Sequence, residues 1–281
     1  MPTATIIDGV SLAGAVKEDL TRRIKAIDAR VSLDAVLVGD DQAAVLYAKN
    51  QAKACEMVGI EFTLHQLPES ASHAQVEELI LRLNNDPKVT AIMVQMPLPK
   101  DVRTDDIQSI IAPHKDVEGV NPANIGNIVF GRRSLVPCTA LAVMEMIEST
   151  GIEIKGTRAV CVGASTIVGK PVAVLLMQAE ATVISTNVHT RDHDELTLGA
   201  DILISAAGVP SLICPEMVKP GAVVIDVGIN RVEGADGKKR TVGDVDFDGV
   251  KEVAGFITPV PGGVGPMTVA MLLRNTVQAA E

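Results

Sequence analysis

The chain has 281 residues, which is enough for two domains of ordinary size, and 47% of them are hydrophobic while 21% are charged. This balance excludes a disordered protein, and no apolar run reaches the roughly 18 residues of a membrane span. The net charge of -10 argues against a nucleic-acid partner, because phosphate contacts need clustered Lys and Arg. We therefore expect a cytoplasmic protein that binds small molecules.

The N-terminal sequence and the cysteines indicate neither secretion nor a metal site. The first residues, MPTATIIDGVSLAGAV, lack a basic segment followed by an apolar one. The four cysteines lack the C-x-x-C spacing of zinc and redox sites, so we interpret them as buried free thiols. They are Cys55, Cys138, Cys161 and Cys214. No metal is predicted.

The first half of the chain alternates between two periodicities. Short apolar segments bounded by turn residues predict strands, and longer segments with apolar residues three or four positions apart predict helices. Strands are predicted at 32–40, 61–67 and 89–99, and helices at 43–59 and 74–86. Strands separated by helices of about 10 to 15 residues indicate a parallel sheet that is covered on both faces.

A second and more regular alternating series begins after Thr139. Its predicted strands are 157–164, 181–185, 200–208 and 221–230, and its predicted helices are 141–150 and 168–180. This pattern is typical of a Rossmann-type dinucleotide-binding domain with a parallel sheet. We therefore predict an α/β protein of two domains, an N-terminal α/β domain and a Rossmann-type domain.

The predicted boundary between the domains lies after residue 138. Residues 115–139 are rich in Gly, Pro and Asn, as expected of an interdomain crossing or an active-site loop. The first domain is predicted at 1–138 and the Rossmann-type domain at 139–264. A C-terminal helix at 265–281, with its start expected just after Pro266, is predicted to pack back on the first domain and complete it.

A glycine-rich turn, GASTIVGKP at 163–171, connects a predicted strand to a predicted helix. A dinucleotide pyrophosphate binds at such a place, where free backbone N–H groups and a helix dipole meet. The G-x-S-x-x-x-G spacing differs from G-x-G-x-x-G and alone would also suit an ordinary tight turn. Its position within a series of strand, turn, helix and strand favours a dinucleotide site.

The residues after the next strand leave the choice between NADP and NAD open. NAD binding commonly uses an Asp or Glu about 20 residues beyond the turn, and Thr186, Asn187 and Val188 stand there instead. Arg191 is a candidate partner for the 2'-phosphate of NADP, and a solvated loop residue is the alternative interpretation. The predicted cofactor is NADP, with NAD as the alternative.

Two further stretches indicate a substrate site. In VQMPLP, 94–99, an apolar strand ends with one polar side chain, Gln95, before two prolines. Gln95 is expected to face a cleft at the carboxyl end of its strand, and a capping role is the alternative. The loop TPVPGGVGPMTVA, 258–270, is stiff and lacks bulky side chains, which suits a flat ligand lying against backbone.

These stretches, together with KDVEG at 115–119 and VIDVGINR at 224–231, resemble the methylenetetrahydrofolate dehydrogenase/cyclohydrolase family over almost the whole chain. Members oxidise 5,10-methylenetetrahydrofolate by hydride transfer to NADP or NAD and usually hydrolyse the methenyl product to 10-formyltetrahydrofolate. The resemblance implies a homodimeric enzyme of one-carbon metabolism whose partners are tetrahydrofolate derivatives. Composition and spacing alone indicate only a cytoplasmic enzyme that binds a dinucleotide and a small substrate.

The resemblance also implies a site in the first domain made of a Tyr and a Lys at i and i+4 of one helix, a Gln and an acid. Tyr47, Gln95 and Glu118 match three of these, so Tyr47 is expected to stack on the folate and Glu118 to hold the pterin edge. Glu118 is one methylene longer than the usual Asp. Gln51 stands at the lysine position, and Ala44 stands where several relatives have Ser.

The missing lysine predicts an impaired hydrolysis step. Hydrolysis needs a group that changes protonation, which a glutamine amide cannot do, whereas hydride transfer mainly needs stacking and alignment. Lys49 and Lys53 lie at i+2 and i+6 from Tyr47, about 160° and about 120° around the helix. Both lysines are therefore expected to face solvent.

The remaining predicted contacts come from the segments that match the family and, for Arg191, from the loop after the second strand. Further substrate contacts are predicted at Pro261, Gly262 and Gly263. Cofactor contacts are predicted at Gly163, Ala164, Ser165, Ile167, Val168, Ile229 and Arg191. Two alternatives stay open: a folate- and dinucleotide-binding protein that has lost catalysis, and an unrelated NADP-dependent dehydrogenase. An assay of methenyl formation distinguishes the first, and a test of folate binding distinguishes the second.

Overall fold

The computed structural model describes residues 3–132, 135–233, 237 and 239–281. The chain divides into two compact units, which confirms the predicted two-domain α/β fold. The first unit comprises Gly14–Cys138 and Val269–Glu281, and the second unit comprises Met1–Ala13 and Thr139–Thr268. The prediction placed residues 1–13 in the first domain. They belong to the second unit because strand β1 (Thr5–Ile6) pairs in parallel with β11 (Phe256–Ile257).

A three-stranded parallel sheet forms the framework of the first unit. Helices α1 and α10 each begin in the second unit and continue into the first. The elements are α1 (Gly9–Ala26), β2 (Ser32–Val38), α2 (Gln42–Val58), β3 (Glu61–Leu67), α3 (His73–Asn85), β4 (Ala91–Val94), α4 (Thr104–Ile110), α5 (Pro122–Val129) and α10 (Val264–Ala280). The strand order is β3-β2-β4. The central strand β2 is buried along its whole length, as expected for a parallel sheet covered on both faces.

Helix α2 carries two of the predicted site residues and has a clear signal at each end. Asp41 caps its first turn by accepting a hydrogen bond from the Ala44 N–H at 2.8 Å. Gly59 ends the helix in the left-handed conformation, which glycine adopts without steric cost. The buried residues of the helix are Ala44, Ala48, Gln51, Ala54, Cys55 and Val58. One polar amide therefore lies on an otherwise apolar face.

The C-terminal helix α10 packs in the first unit through a buried asparagine. Asn275 is fully buried, and its Nδ2 donates to the carbonyl oxygens of Val117 and Val136 at 2.8 and 2.9 Å. The helix starts two residues before Pro266 rather than after it. The difference arises because a proline in the first turn of a helix removes no hydrogen bond.

The second unit contains a six-stranded parallel sheet and a separate antiparallel pair of strands. Its further elements are α6 (Cys138–Glu148), β5 (Arg158–Val162), α7 (Gly169–Gln178), β6 (Thr182–Thr186), α8 (His193–Leu198), β7 (Ile202–Ser205), a 3-10 helix (Pro215–Met217), β8 (Val223–Asp226), β9 (Asn230–Glu233), β10 (Lys239–Val242) and α9 (Phe247–Val250). The strand order is β1-β11-β8-β7-β5-β6. In the sheet, β6 lies on one side of β5 and β7 lies on the other. The direction in which successive strands are added therefore reverses at β5. Ligands of such sheets bind beyond the carboxyl ends of the strands at this point.

Two predicted strands are shorter than expected. Residues 89–99 contain only the four-residue strand β4, because prolines cannot donate to a sheet and the chain leaves it before them. Residues 221–230 split into β8 and the start of β9, which belong to different sheets. Within the described residues, no helix is both long and apolar enough to cross a bilayer.

The segment 115–139 was predicted as a crossing or a loop, and it contains helix α5. The Asn121 side chain caps this helix by accepting a hydrogen bond from the Ala123 N–H at 2.8 Å, and Pro122 occupies the first helical position. The capping asparagine and the proline are local signals for a helix. The high content of Gly, Pro and Asn in the segment favoured a loop instead. Arg133 and Ser134 of the same segment lie outside the described residues.

Candidate active site

Tyr47 and Gln51 lie four residues apart on α2 and therefore share one face of the helix. Tyr47 keeps 44% of its surface exposed, whereas Gln51 is 1% exposed. Lys49 and Lys53 are exposed, as their angles around the helix predict. Helix α2 thus offers an accessible tyrosine ring and a buried neutral amide at the positions where a tyrosine and a lysine were expected.

Gln95 joins this amide from the end of strand β4. Its backbone N–H donates to the Val36 carbonyl at 2.8 Å, and its side chain is buried. The Gln95 Nε2 donates to the Gln51 Oε1 at 2.6 Å, so the two amides hold each other. The Gln51 Nε2 has no hydrogen-bond partner among the described residues. A buried amide without a partner costs about 1 to 3 kcal/mol, so this group is suited to bind a ligand.

Glu118 reaches the same place on a segment that runs beside β4. Ile92 donates to the Lys115 carbonyl at 2.8 Å and forms an isolated parallel bridge with Asp116. Two residues further along both segments, the Val94 N–H donates to the Glu118 Oε2 at a long 3.4 Å. Glu118 is therefore positioned by backbone pairing, and its carboxylate lies beside the strand end that carries Gln95.

The environment of Glu118 favours its protonated form. Burial raises the pKa of Glu118 to about 7, and the neighbouring Asp116 carboxylate acts in the same direction. The Val94 N–H opposes this shift by favouring the charged form. The residue as a whole is only partly buried. Near neutral pH this group is able both to accept and to donate a proton.

Tyr47 is coupled electrostatically to Glu118. Partial burial raises the pKa of Tyr47, the charges of Glu118 and Cys138 raise it further, and the nearby Gln51 amide opposes them. The phenol is therefore neutral at physiological pH. The structure brings Tyr47, Gln51, Gln95 and Glu118 together in the first unit, and we call these four residues the polar cluster.

Two residues beside the polar cluster, Asp116 and Cys138, were not predicted as part of the site. Asp116 is fully buried, and its Oδ2 accepts hydrogen bonds from the Asn121 N–H at 2.7 Å and the Asn124 Nδ2 at 2.9 Å. The buried Cys138 thiol donates to the Val117 carbonyl, with 3.1 Å between sulfur and oxygen, and burial raises its pKa well above the usual range. The KDVEG sequence contains Asp116, and the asparagines that follow it could have indicated its anchoring role. In the described residues, no group of three or more His, Cys, Asp or Glu side chains is placed to hold a metal ion.

The predicted dinucleotide turn lies between β5 and α7 in the second unit. Gly163 has a φ of 99°, and a Cβ there would collide with the Ala206 carbonyl. A Cβ on Gly169 would collide with the carbonyl of Gly163, and its N–H donates to the Ser165 Oγ at 3.2 Å. Glycine is therefore required at both positions, because neighbouring backbone carbonyls leave no room for a Cβ. The turn also contains the predicted cofactor residues Ala164, Ile167 and Val168.

Exposed aliphatic side chains follow the carboxyl ends of four neighbouring strands. They are Ile167 after β5, Val188 after β6, Val209 after β7 and Ile229 after β8, and their exposed fractions range from 47% to 93%. Exposed apolar side chains that share one sheet edge are typical of a ligand-binding surface. The edge suits the flat rings of a dinucleotide. Arg191 is exposed in the loop that follows β6.

A buried carboxylate that sequence reasoning missed fixes two loops at this edge. The Asp244 Oδ2 accepts hydrogen bonds from the Ser205 Oγ at 3.0 Å and from the N–H groups of Ala207 and Gly208 at 2.8 and 3.0 Å. Its Oδ1 accepts one from the Asn230 Nδ2 at 2.9 Å. Asp244 therefore connects the loop after β7 to the residue that follows Ile229.

A second missed carboxylate, Asp226, supports Asp244. It accepts hydrogen bonds from the N–H groups of Gly228, Asp244 and Val245 at 2.9 to 3.0 Å. Burial raises the pKa of Asp226 to about 6 against these three donors, and the charge of Asp244 acts with burial. A Cβ on Gly228 would collide with the Asp244 carboxylate. A glycine beside each acid in DVGIN and VGD is the sequence signal that could have indicated this pair.

The predicted substrate residues come from both units. Pro261, Gly262 and Gly263 lie in the second unit, in the loop before α10, whereas the polar cluster lies in the first. Gly262 has a φ of 106°, and a Cβ on Gly9 would collide with the carbonyl of Gly263. The loop is thus packed closely against the start of α1 and has little room for side chains.

Two family models match the chain, one for each half. Residues 7–118 match the catalytic domain of tetrahydrofolate dehydrogenase/cyclohydrolase, and residues 137–281 match the NAD(P)-binding domain of the same family. The first match contains the polar cluster, and the second contains the glycine-rich turn and the aliphatic edge of the sheet.

Relatives match over nearly the full length. The bifunctional protein FolD of Bordetella bronchiseptica is 49% identical over 99% of this chain and 98% of that protein. The crystal structure of the bifunctional methylenetetrahydrofolate dehydrogenase/cyclohydrolase FolD from Campylobacter jejuni matches with a TM-score of 0.94 at 43% identity, covering 99% of this chain and 98% of that one. The Trypanosoma brucei methylenetetrahydrofolate dehydrogenase-cyclohydrolase, solved with NADP and an inhibitor, matches with a TM-score of 0.91 at 38% identity, covering 100% and 98%.

Proposed function

The chain belongs to the tetrahydrofolate dehydrogenase/cyclohydrolase family, and from this premise we propose the reactions it performs. It oxidises 5,10-methylenetetrahydrofolate to the 5,10-methenyl cation with NADP, and it hydrolyses that cation to 10-formyltetrahydrofolate. The observation that carries the proposal is the polar cluster, because Tyr47, Gln51, Gln95 and Glu118 meet within the part of the chain that matches the family's catalytic domain.

In the oxidation, the protein mainly holds the folate in position. The methylene C–H bond breaks with both electrons, and a folate nitrogen lone pair forms the new C=N bond, so the driving force lies in the substrate. The bound dinucleotide supplies the hydride acceptor. The accessible ring of Tyr47 stacks on the folate. The Gln51 Nε2 and Glu118 provide a donor and an acceptor for the polar edge of the pterin.

Hydrolysis asks more of the protein than oxidation does. Water adds to the methenyl carbon and loses a proton, and the bond from that carbon to N5 then breaks while N5 gains a proton. Gln51 cannot take part in proton transfer, because an amide does not titrate near neutral pH. Gln51 therefore affects the rate of hydrolysis more than the rate of oxidation.

Two features of the second unit suit the cofactor: the glycine-rich turn and the exposed aliphatic side chains at the edge of the sheet. The pyrophosphate binds the backbone of the turn at Gly163, Ala164 and Ser165, which opens into helix α7. Ile167, Val168 and Ile229 offer apolar contacts, and Arg191 is an exposed cation for the 2'-phosphate. NADP is the proposed cofactor, and NAD remains an alternative substrate of the same site.

We propose a cytoplasmic homodimer whose partners are tetrahydrofolate derivatives and do not include nucleic acid. The net charge of -10 supports the last point, and the acidic composition suits a cytoplasmic enzyme. Light scattering measures the mass in solution, where a value near twice 29.5 kDa is expected. The alternative of a protein that has lost catalysis gains no support from the relatives described above.

One experiment tests the proposal. Methenyl formation and methenyl hydrolysis are measured separately, with NADP and NAD in parallel and with the uncatalysed hydrolysis subtracted. We expect methenyl formation with NADP and hydrolysis above the uncatalysed rate. Folate binding without methenyl formation with either dinucleotide would overturn the proposal.

A further inference from the structure

The polar cluster lacks an ammonium group, which raises the question of how a proton moves during hydrolysis. Lys49 and Lys53 are exposed on α2. Lys115 is buried, but its Nζ donates to the carbonyls of Leu83 and Asp86 at 3.1 and 2.8 Å. Those carbonyls terminate helix α3, so this ammonium serves a structural role. Of these three lysines, two are exposed on α2 and the third is held at the end of α3.

Four titratable side chains face one another at the cluster, and three of them are unsuited to proton transfer. Tyr47 comes from α2, Asp116 and Glu118 from the segment beside β4, and Cys138 from the start of α6. Asp116 is fully buried: its Oδ2 accepts two hydrogen bonds, and its Oδ1 has no partner among the described residues but is closed off from solvent. The Cys138 thiol is buried against a carbonyl, and Tyr47 stays neutral near pH 7.

Glu118 differs from these three in its geometry. Its only hydrogen bond to the described residues is the 3.4 Å contact with the Val94 N–H, so most of its acceptor sites are free. The side chain is partly exposed and lies beside the strand end that carries Gln95. Glutamate also extends one methylene further than the aspartate expected at this position.

We propose that Glu118 is the proton-transfer residue of the hydrolytic step, in place of a lysine on α2. The inference rests on the proposed function. In the first step, the Glu118 carboxylate accepts a proton as water adds to the methenyl carbon. In the second step, the carbon–N5 bond breaks, N5 takes the proton from Glu118, and the hydroxyl proton of the adduct leaves as the formyl C=O forms. One proton is released for each turnover, so the atoms and charges balance.

The neutral amide at position 51 and the glutamate at position 118 support each other. Burial raises the pKa of Glu118 to about 7, where the carboxyl group both accepts and donates protons readily. An ammonium group at position 51 would favour the carboxylate and lower that pKa. Gln51 therefore keeps Glu118 in the range in which it exchanges protons.

The test is the pH dependence of hydrolysis by the full-length protein. Between about pH 5.5 and about 8.5 we expect kcat/KM for methenyltetrahydrofolate to rise with a midpoint near 7, as for a base that must lose its proton. Glu118→Gln should remove this rise and lower hydrolysis at saturating substrate by about 10² to 10⁴-fold. Glu118→Asp should retain a titrating rise with a lower rate.

Matched controls separate the role of Glu118 from the charge of the surface. Lys49→Met and Lys53→Met remove exposed charges of the same helix and should leave hydrolysis unchanged. Circular dichroism and NADP binding by calorimetry establish that the Glu118 variants are folded. Hydrolysis by Glu118→Gln with the rate and pH profile of the unaltered protein would overturn the inference.

The proposed function and this inference fail in different ways. If the unaltered protein forms no methenyl product with NADP or NAD, the proposed function is wrong. If it forms that product but hydrolyses it no faster than buffer does, or if hydrolysis does not titrate near pH 7, the assignment of Glu118 is wrong while the dehydrogenase stands.

Discussion

Glu118 of the first unit and the Asp226–Asp244 pair of the second unit are held in contrasting ways. In the second unit, Asp226 accepts three hydrogen bonds and Asp244 accepts four, all between 2.8 and 3.0 Å. In the first unit, Glu118 accepts one long hydrogen bond from the Val94 N–H. A carboxylate whose acceptor sites are filled fixes the backbone around it. A carboxylate with free acceptor sites is available to a ligand or a proton.

The direction of a pKa shift does not distinguish these two roles. Burial raises the pKa of Asp226 to about 6 and that of Glu118 to about 7. Asp226 is 3% exposed and accepts three backbone hydrogen bonds, whereas Glu118 is partly exposed and accepts one long one. The count of hydrogen-bond donors around each acid therefore decides which one is a candidate for catalysis.

Of these substitutions, Gly169→Ala should have the largest effect on ligand binding. It tests whether the glycine-rich turn of the second unit tolerates a shift of its backbone. The added Cβ collides with the Gly163 carbonyl, so the turn must move. A hydrogen bond to a charged group contributes about 1.5 to 3 kcal/mol, so losing one from the displaced turn lowers affinity by roughly 10- to 100-fold. We expect NADP binding to weaken by about 100-fold while folate binding changes little, as measured by calorimetry.

A glycine with open space around it provides the control for this substitution. Gly14 lies inside α1 and has nothing within 4 Å of the position of a Cβ. Gly14→Ala should leave NADP binding unchanged and raise the free energy of unfolding by up to about 1 kcal/mol. Equal loss of NADP and folate binding in Gly169→Ala would indicate general unfolding instead of a local change in the turn.

Gln51→Lys tests the first unit by adding the missing ammonium group. The new ammonium group lowers the pKa of Glu118 but can itself transfer the proton, so hydrolysis should rise by about 10- to 100-fold, which is part of the usual contribution of general acid and base catalysis. Methenyl formation should change much less. The midpoint of the pH profile should also move downward, because the new charge lowers the pKa of Glu118.

Gln51→Met is the matched control, since it keeps the size of the side chain and adds no charge. It should not raise hydrolysis. If Gln51→Lys also leaves hydrolysis unchanged in a folded protein, the amide at this position does not limit the step, and the prediction of impaired hydrolysis is wrong.

Asp244→Asn tests whether the saturated acid is structural. The new amide must turn N–H groups toward at least one of the donors that now approach the carboxylate. We expect the free energy of unfolding to fall by about 1 to 3 kcal/mol in urea titrations. Asp248→Asn is a surface control expected within about 0.5 kcal/mol of the unaltered protein. Stability unchanged by Asp244→Asn would mean that the network is dispensable.

Arg191→Ala should have the smallest effect. The side chain is exposed, and exposed ion pairs contribute about 0.2 to 1 kcal/mol. The ratio of kcat/KM with NADP to that with NAD should therefore fall by less than about fivefold. The loss of a strong NADP preference would show instead that Arg191 is the main contact of the 2'-phosphate.

The sequence was sufficient for those features that depend on periodicity and local signals. The alternating strands and helices, the end of α2 at Gly59, and the spacing of Tyr47 and Gln51 all follow from residues close together in the chain. The β1–β11 pair could not be predicted in this way. It joins residues about 250 positions apart through two strands of two residues each, too short for a periodic signal.

The candidate site was predictable in its members but not in its contacts. The resemblance selected Gln95 and Glu118, whereas the 2.6 Å bond between Gln95 and Gln51 depends on how β4 and α2 pack. The raised pKa of Glu118 depends on burial, which no local pattern encodes. Asp244 was missed because its donors come from three separate loops and strands.

The position of the C-terminal helix bears on how the chain matures during synthesis. Asn275 satisfies the carbonyls of Val117 and Val136, which lie more than a hundred residues earlier. As a ribosome extends the chain, the segment from Gly14 to Cys138 emerges long before this asparagine and must wait with those carbonyls uncapped. The second unit needs only residues up to Thr268. All residues of the second unit are therefore synthesised before the last turns of α10, which supply the final contacts of the first unit.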